Sequence, residues 1–363
     1  MRLLFLMLFL FINLDLSAQA IKSVSSGIAG KITDGDLQTD SVYFNTGIIA
    51  AKYFEESLSA AVVNNQFKIG ARPRLPQMYR SLFLSDRNKR IWRLGCLFID
   101  NSTTAITLNY KYDECNSIKG DTHLEYVTKF IPAFFAGKTY KCELNDFYSY
   151  SRDAGTAFDT VLYKYTVLNK DSYVALWNLV ERFSLYGHSV LRQKTLNQFS
   201  DSVKKQYLWK ILNDDFVKAK IKEGATFPDL ELQTLQLTKS NLQLPKAKFI
   251  LLDFWFSRCR PCLDAIPEMK KIYDKYKSRG FEIVSISTDN INDIAIWQKR
   301  VKSYGLNWFH YLDVNSKQSS SLAIKSFPTV FLLDSSGKVL KRDLSLDELS
   351  VFLASNLSAN AGH

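Results

Sequence analysis

Residues 259–262 read Cys-Arg-Pro-Cys, and they stand where a strand pattern gives way to a helical one. Upstream, Lys248-Phe249-Ile250-Leu251-Leu252 is an almost unbroken apolar run of strand length with no turn former inside it. Such a run marks a strand buried on both faces, in the middle of a sheet. Downstream, Leu263, Ile266, Ile272 and Tyr273 recur at helical spacing, Lys271, Lys275 and Lys277 load the last turns, and Gly280 is placed to stop the helix. The chain therefore carries a CxxC at a strand-to-helix turn.

That position has chemical consequences. Two cysteines three apart on a first helical turn share one face and can form a disulfide without moving the backbone. Cys259 sits where unpaired N–H groups and the helix dipole favour an anion, so its thiolate is stabilised. Pro261 suits a first turn, because its missing N–H costs no helical bond there. Arg258 and Arg260 flank the sulfur, and their charge predicts a somewhat more oxidising disulfide. A structural zinc would need two further ligands, and after Cys262 only His310 and His363 could serve. Buried, inert cysteines are the remaining alternative. A dithiol that exchanges with other disulfides fits best, with no cofactor and no metal beyond the Cys259–Cys262 pair itself.

These residues resemble the active site of the thioredoxin superfamily, and more closely the extracytoplasmic TlpA/ResA-like thiol-disulfide oxidoreductases. The similarity spans roughly residues 222–357. It includes Asp253-Phe254-Trp255, the CxxC, Pro267 in the following helix, Ser326-Phe327-Pro328-Thr329 before a strand, and the entry Gly224-Ala225-Thr226-Phe227-Pro228-Asp229. Two positions depart from the family pattern: Arg258 stands where tryptophan is usual, and Ala265 where many members have glutamate. The resemblance implies that Cys259 attacks, that Cys262 resolves, and that Pro328 is cis and packs beside the disulfide. It also implies that Asp253 is a buried acid able to move the proton of Cys262. Phe327, Trp255 and Arg260 are then the expected substrate-binding residues, with Phe327 offering backbone groups to an extended segment.

The chain has 363 residues, 46% hydrophobic and 23% charged, which suits more than one globular domain and excludes a disordered protein. The net charge of +11 forms no block, so it reads as a solvated surface and not as a nucleic-acid footprint. Met1-Arg2, the apolar run from Leu3 to Ile12 and Ser17-Ala18-Gln19-Ala20 make a secretory signal peptide over residues 1–20. The mature protein is expected in the periplasm or cell envelope with no transmembrane span. Disulfide chemistry is permitted there, and the expected partners are envelope protein thiols and disulfides, with a membrane electron donor supplying the family's reductants.

Residues 21–118 are expected to form a β-rich domain, from short runs such as 27–32, 41–44, 66–69 and 105–110 separated by turn formers. Their order resembles the small β domain often fused ahead of TlpA-like domains. Residues 119–221 turn helical. One helix is expected from Asp171 to Tyr186, closed by Gly187. A second should start at Ser200 and bury Val203, Tyr207, Leu208, Ile211 and Phe216. His123 and His188 read as isolated polar-segment residues. Cys96, Cys115 and Cys142 could contribute one disulfide or be small buried hydrophobes.

The remainder should be an α/β thioredoxin-like fold. A parallel strand is expected at 281–287, a helix at 291–304 and a short strand near 308–312. A hairpin follows around Asp334-Ser335-Ser336-Gly337, then a last helix opened by the capping box Ser345-Leu346-Asp347-Glu348. Residues 358–363 form a tail. The reading is an exported thiol-disulfide oxidoreductase. The alternatives weighed are a peroxiredoxin-like peroxidase, which lacks its Pro-x-x-x-Thr-x-x-Cys pattern here, and a binding or scaffold protein with a vestigial redox domain.

Overall fold

A computed structural model describes residues 27–33, 40–45, 53, 57–70, 72–73, 75–84, 91–109, 116–135 and 155–357. The leader expected over residues 1–20, the tail over 358–363 and the pairing of Cys96, Cys115 and Cys142 lie outside the described residues. No helix among the described residues is long and apolar enough to cross a membrane.

The first layer is β-rich. Strands β1 (Ile28–Thr33), β4 (Gln66–Ile69), β7 (Ala105–Asn109) and β8 (Ser117–Lys119) form one four-stranded sheet, in the order β4-β1-β7-β8. A second sheet has the order β3-β2-β5-β6, from β2 (Ser41–Asn45), β3 (Leu58–Ala61), β5 (Gln77–Leu84) and β6 (Ile91–Ile99). Alternate residues of both, including Ile28, Val42, Phe44, Phe67, Leu97 and Ile106, meet in one buried cluster. The four runs named from the sequence are strands. The two longest strands, β5 and β6, are not among them: Arg80, Arg93 and Gly95 interrupt their apolar runs.

A helical layer follows. Short helices α1 (Asp121–Glu125) and α2 (Ile131–Phe134), joined by a π-turn, precede α3 (Gly155–Leu168), α4 (Tyr173–Tyr186) and α5 (Val190–Gln198). Ser172 caps α4 by accepting the N–H of Ala175 at 3.0 Å, and Gly187 ends it as expected. The helix expected from Ser200 is instead two, α6 (Asp201–Lys204) and α7 (Tyr207–Lys218). Ser200 caps only the first. The break turns Tyr207 outward to 59% exposure, while Val203, Leu208 and Phe216 are buried. His123 and His188 are also buried, not polar-surface residues, and His123 Nδ1 accepts the N–H of Phe98 at 3.3 Å. Burial holds the imidazoles of both histidines down to about 4. At the centre of this layer Asp159 accepts from Arg182 Nε at 2.7 Å and Arg192 Nε at 2.9 Å, all three side chains being nearly inaccessible.

The last layer is a seven-stranded sheet ordered β10-β9-β13-β12-β11-β14-β15. Its centre is β11 (Phe249–Trp255), every residue of which is buried. It runs parallel to β12 (Phe281–Ser287) and antiparallel to β14 (Thr329–Asp334). Strand β13 (Phe309–Leu312) is parallel to β12, and β15 (Val339–Arg342) closes the expected hairpin. At one edge lies β10 (Lys239–Asn241), paired with β9 (Glu231–Thr234). At the other, Gly224 and Ala225 exchange backbone bonds with Val339. Helices α8 (Arg260–Tyr276), α9 (Ile294–Ser303), α10 (Lys317–Ser321) and α11 (Leu346–Asn356) complete the fold, with the Ser345–Glu348 capping box formed. This is the thioredoxin-like domain expected from the sequence.

The Asp159 cluster yields a stability prediction. Asp159→Ala removes the shared carboxylate of two buried guanidinium groups and should lower the free energy of unfolding by about 3–5 kcal/mol. Asp264→Ala, which loses only a solvated pair with Arg260, should leave the midpoint unmoved. Chemical unfolding followed by circular dichroism compares the two; equal losses would refute the assignment of the cluster as a core element.

Candidate active site

Strand β11 delivers the chain to the site. Its residues alternate between two cores: Ile250, Leu252 and Phe254 join the cluster on one face of the sheet. Phe249, Leu251 and Trp255 join the cluster on the other face, which contains Cys259, Cys262 and the buried residues of α8. Asp253, between Leu251 and Trp255 in the same alternation, therefore belongs to the CxxC side of the sheet.

After Trp255 the backbone leaves the sheet and is clamped by the loop that follows β12. Thr288 donates its N–H to the Trp255 carbonyl at 2.8 Å. Asp289, buried, accepts the N–H of Ser257 at 2.9 Å and its hydroxyl at 2.7 Å, and also the hydroxyl of Ser287 at 2.6 Å. A carboxylate with three such donors is a strong anchor. It fixes the turn from which Cys259 emerges.

Cys259 is not inside the first turn of α8 but caps it. Its sulfur accepts the N–H of Cys262 at 3.2 Å and is bonded to the sulfur of Cys262, with the two Cα atoms 5.2 Å apart. The sulfur thus lies where the helix presents free N–H groups and its positive end. Both cysteines are buried, at 4% and 5% exposure. Pro261 is accommodated in the first turn, and Pro267 inside the helix.

The peptide bond between Phe327 and Pro328 is cis. Phe327 is partly buried and stands edge-to-face on Phe256, with ring centroids 5.5 Å apart. These two rings, Arg258, Thr288, Asn290 and Asp293 help line an open groove of about 490 Å³ beside the CxxC. It leads from the residue before Cys259 to the residue before Pro328.

Asp253 is buried, and Ser285 Oγ donates to its Oδ2 at 2.9 Å. Ser285 Oγ in turn accepts from Trp308 Nε1 at 2.9 Å. Burial pushes the Asp253 carboxyl up to about 6, against the opposing pull of the Ser285 hydrogen bond. The carboxyl thus changes charge close to neutral pH.

One expected contribution, that of Trp255, is corrected by this geometry. Trp255 was expected against substrate, but at 2% exposure it is packed beneath the disulfide. Its β11 position aims it into the core. Arg260, the other side chain expected to bind substrate, is exposed. It turns along α8 and donates through Nε to both oxygens of Asp264, at 2.9 and 3.0 Å. Arg258 donates to Asp293 Oδ1 through Nε at 3.1 Å and Nη2 at 3.0 Å, which holds the Asp293 carboxyl below its ordinary range. Both arginines thus carry a carboxylate partner, while the helix terminus acts on Cys259 directly. Sequence reasoning missed Ser257, Asp289, Ser285 and Trp308. The polar residues Ser285 and Ser287 inside an otherwise apolar β12 were the available signal, since buried hydroxyls require partners.

The domain that carries this site matches known proteins in sequence. The family model described as Redoxin matches residues 222–351. Thiol-disulfide oxidoreductase ResA of Bacillus anthracis is 34% identical over 125 residues, which are 34% of this chain and 71% of that protein. ResA of Bacillus subtilis (strain 168) is 33% identical over 124 residues, 34% of this chain and 68% of that protein. Among solved structures, the thioredoxin domain of a Bacteroides vulgatus thiol-disulfide oxidoreductase aligns with a TM-score of 0.34 at 26% identity, over 38% of this chain and 100% of that one. With the likeness running through the whole CxxC domain and through two thirds or more of each ResA, the chain belongs to the TlpA/ResA-like thiol-disulfide oxidoreductases of the thioredoxin superfamily.

Proposed function

We propose that this protein is exported and exchanges disulfides with proteins of the cell envelope through Cys259 and Cys262. The observation that carries the chemistry is the Cys259 sulfur acting as the N-cap of α8 while bonded to Cys262. Export rests on the leader pattern of Met1–Ala20, and the absence of a membrane-crossing helix among the described residues is compatible with it.

In the reduced protein the Cys259 thiolate attacks a substrate disulfide. One S–S bond forms between Cys259 and the substrate, and the other substrate sulfur leaves as a thiolate. Asp253, as carboxylate, takes the proton of Cys262, either directly or through water. The Cys262 thiolate then attacks Cys259, forming the intramolecular disulfide and releasing the second substrate sulfur. Two electrons pass to the substrate, and an external dithiol, such as one held by a membrane electron donor, restores the reduced state. The groove between Phe256 and Phe327 receives the extended segment around the substrate disulfide, with backbone groups of Phe327 as its pairing partner and Pro328 beside the sulfurs.

Reduction of insulin in the presence of dithiothreitol tests the activity. Cys259→Ser should abolish turnover, and Cys262→Ser should accumulate the mixed disulfide, from which the captured partners can be identified. No turnover by the wild-type protein would remove the reading.

Alkylation distinguishes the two sulfurs. In the reduced protein at neutral pH, iodoacetamide should modify Cys259 first, because only its sulfur caps the helix. Peptide mapping by mass spectrometry that found Cys262 labelled first would reverse the assignment.

The Asp253 carboxyl, titrating near 6, gives a pH dependence. Its base form is present above that value and lost below it, so resolution of the mixed disulfide should slow as pH falls from 8 to 5. Asp253→Asn should slow resolution by about tenfold or more at pH 8 and flatten the profile. Stability has the opposite sign. A carboxyl whose folded value lies above its unfolded value favours folding when protonated, and that contribution is lost as pH rises through about 6. Asp253→Asn should therefore be more stable than wild type at pH 8, with the gap closing toward pH 4. Stopped-flow kinetics and urea unfolding read the two effects; a pH-independent resolution rate in the wild type would exclude Asp253 from proton transfer.

A further inference from the structure

The segment leading into Phe327–Pro328 does not stand free of the helical layer. Ser326 Oγ donates a 3.0 Å hydrogen bond to the carbonyl of Leu185, 141 residues earlier in the chain. Leu185 lies in the last turn of α4, where carbonyls have no partner within the helix. The helix then ends at Gly187, with φ 63°. This residue faces Arg342, the buried last residue of β15. The backbone conformation at position 187 favours glycine, and a Cβ there would fall 2.1 Å from Arg342 Nη1 and displace the guanidinium.

The same two contacts bracket the site loop. Strand β15 pairs with β14, whose first residue, Thr329, directly follows Pro328. Thr329 Oγ1 donates to the Ser326 carbonyl at 2.7 Å, closing the short loop on itself. The end of α4 is held from behind as well: Arg192 Nη1 donates to the carbonyls of Tyr186 at 2.9 Å and Gly187 at 2.8 Å, while its Nε is bound to Asp159. Hydrogen bonds therefore hold the end of α4 from both sides, Arg192 on the carbonyls of Tyr186 and Gly187 and Ser326 on that of Leu185, one backbone step away.

We propose that the helical layer positions the substrate-binding loop of the redox domain, and that Ser326 is the positioning residue through which it acts. Anchored to the Leu185 carbonyl, Ser326 sets where Phe327 and Pro328 meet an incoming polypeptide. The proposal rests on the oxidoreductase reading and deepens it by giving the N-terminal half a part in recognising protein substrates. A polypeptide must lie along Phe327, whereas a small dithiol needs only the sulfur of the disulfide. The two classes of reactant should respond differently when the anchor is removed.

The full-length protein is assayed with insulin as protein substrate and with dithiothreitol as a small reductant of the Cys259–Cys262 disulfide. Ser326→Ala is expected to raise KM for insulin about fivefold, the effect of one lost hydrogen bond, with kcat close to wild type. The rate of reduction by dithiothreitol should not change. Ser326→Thr keeps the hydroxyl and should restore KM. An unchanged KM in Ser326→Ala, or an equal rise in Ser326→Thr, overturns the proposal and leaves the oxidoreductase reading intact. Parallel losses toward insulin and dithiothreitol also overturn it, by placing the effect at the disulfide. If the wild type reacts with neither, the oxidoreductase reading falls and the proposal with it.

Discussion

Burial of β11 on both faces decides where the CxxC can be. A strand flanked by β12 and β14 and covered by two cores has no freedom to shift. Its end is therefore a fixed point, from which the chain turns into α8. The Asp289 clamp on Ser257 then transfers that fixity to the turn itself. Cys259 reaches the helix terminus because these constraints leave one route. The same alternation along β11 that hides Trp255 beneath the disulfide brings Asp253 to the side of the sheet that carries the sulfurs.

Much of the redox domain was legible because its signals are short-range. An unbroken apolar run, a helical period, a turn former and a capping box each depend on residues close in sequence, and β11, α8, the β14–β15 hairpin and α11 lie where those signals put them. The N-terminal half was less legible. Strands β5 and β6 carry arginines and a glycine within their runs, so no local pattern announced them. The break between α6 and α7, which exposes Tyr207, likewise follows no breaker residue. Within the site, the cysteines and the Phe327–Pro328 pair were evident as motifs, whereas the partners of Asp253 and Ser257 come from β12 and the loop after it, 32 residues away. Charge partners were only half legible. Arg258 and Arg260 flank the sulfur in sequence, but Asp293 is 35 residues from Arg258 and Asp264 only one helical turn from Arg260. Proximity along the chain says nothing about which counter-ion is nearer.

Beside Cys259 both arginines are exposed and paired with carboxylates. Solvent-exposed ion pairs carry little net field a few ångströms away. The helix terminus, by contrast, meets a sulfur that is itself buried. Backbone geometry at the terminus touches the sulfur itself, whereas each arginine acts on it across solvent.

The two edges of the seven-stranded sheet have a consequence for how polypeptides approach. Strand β10 is three residues long and wholly polar, a blunted edge that offers little to a foreign strand. At the opposite edge, Gly224 and Ala225 already occupy backbone groups of Val339. A disordered client that seeks main-chain partners thus meets a sheet closed at both margins. Neither margin is then a long free edge of the kind on which foreign strands add and aggregates grow.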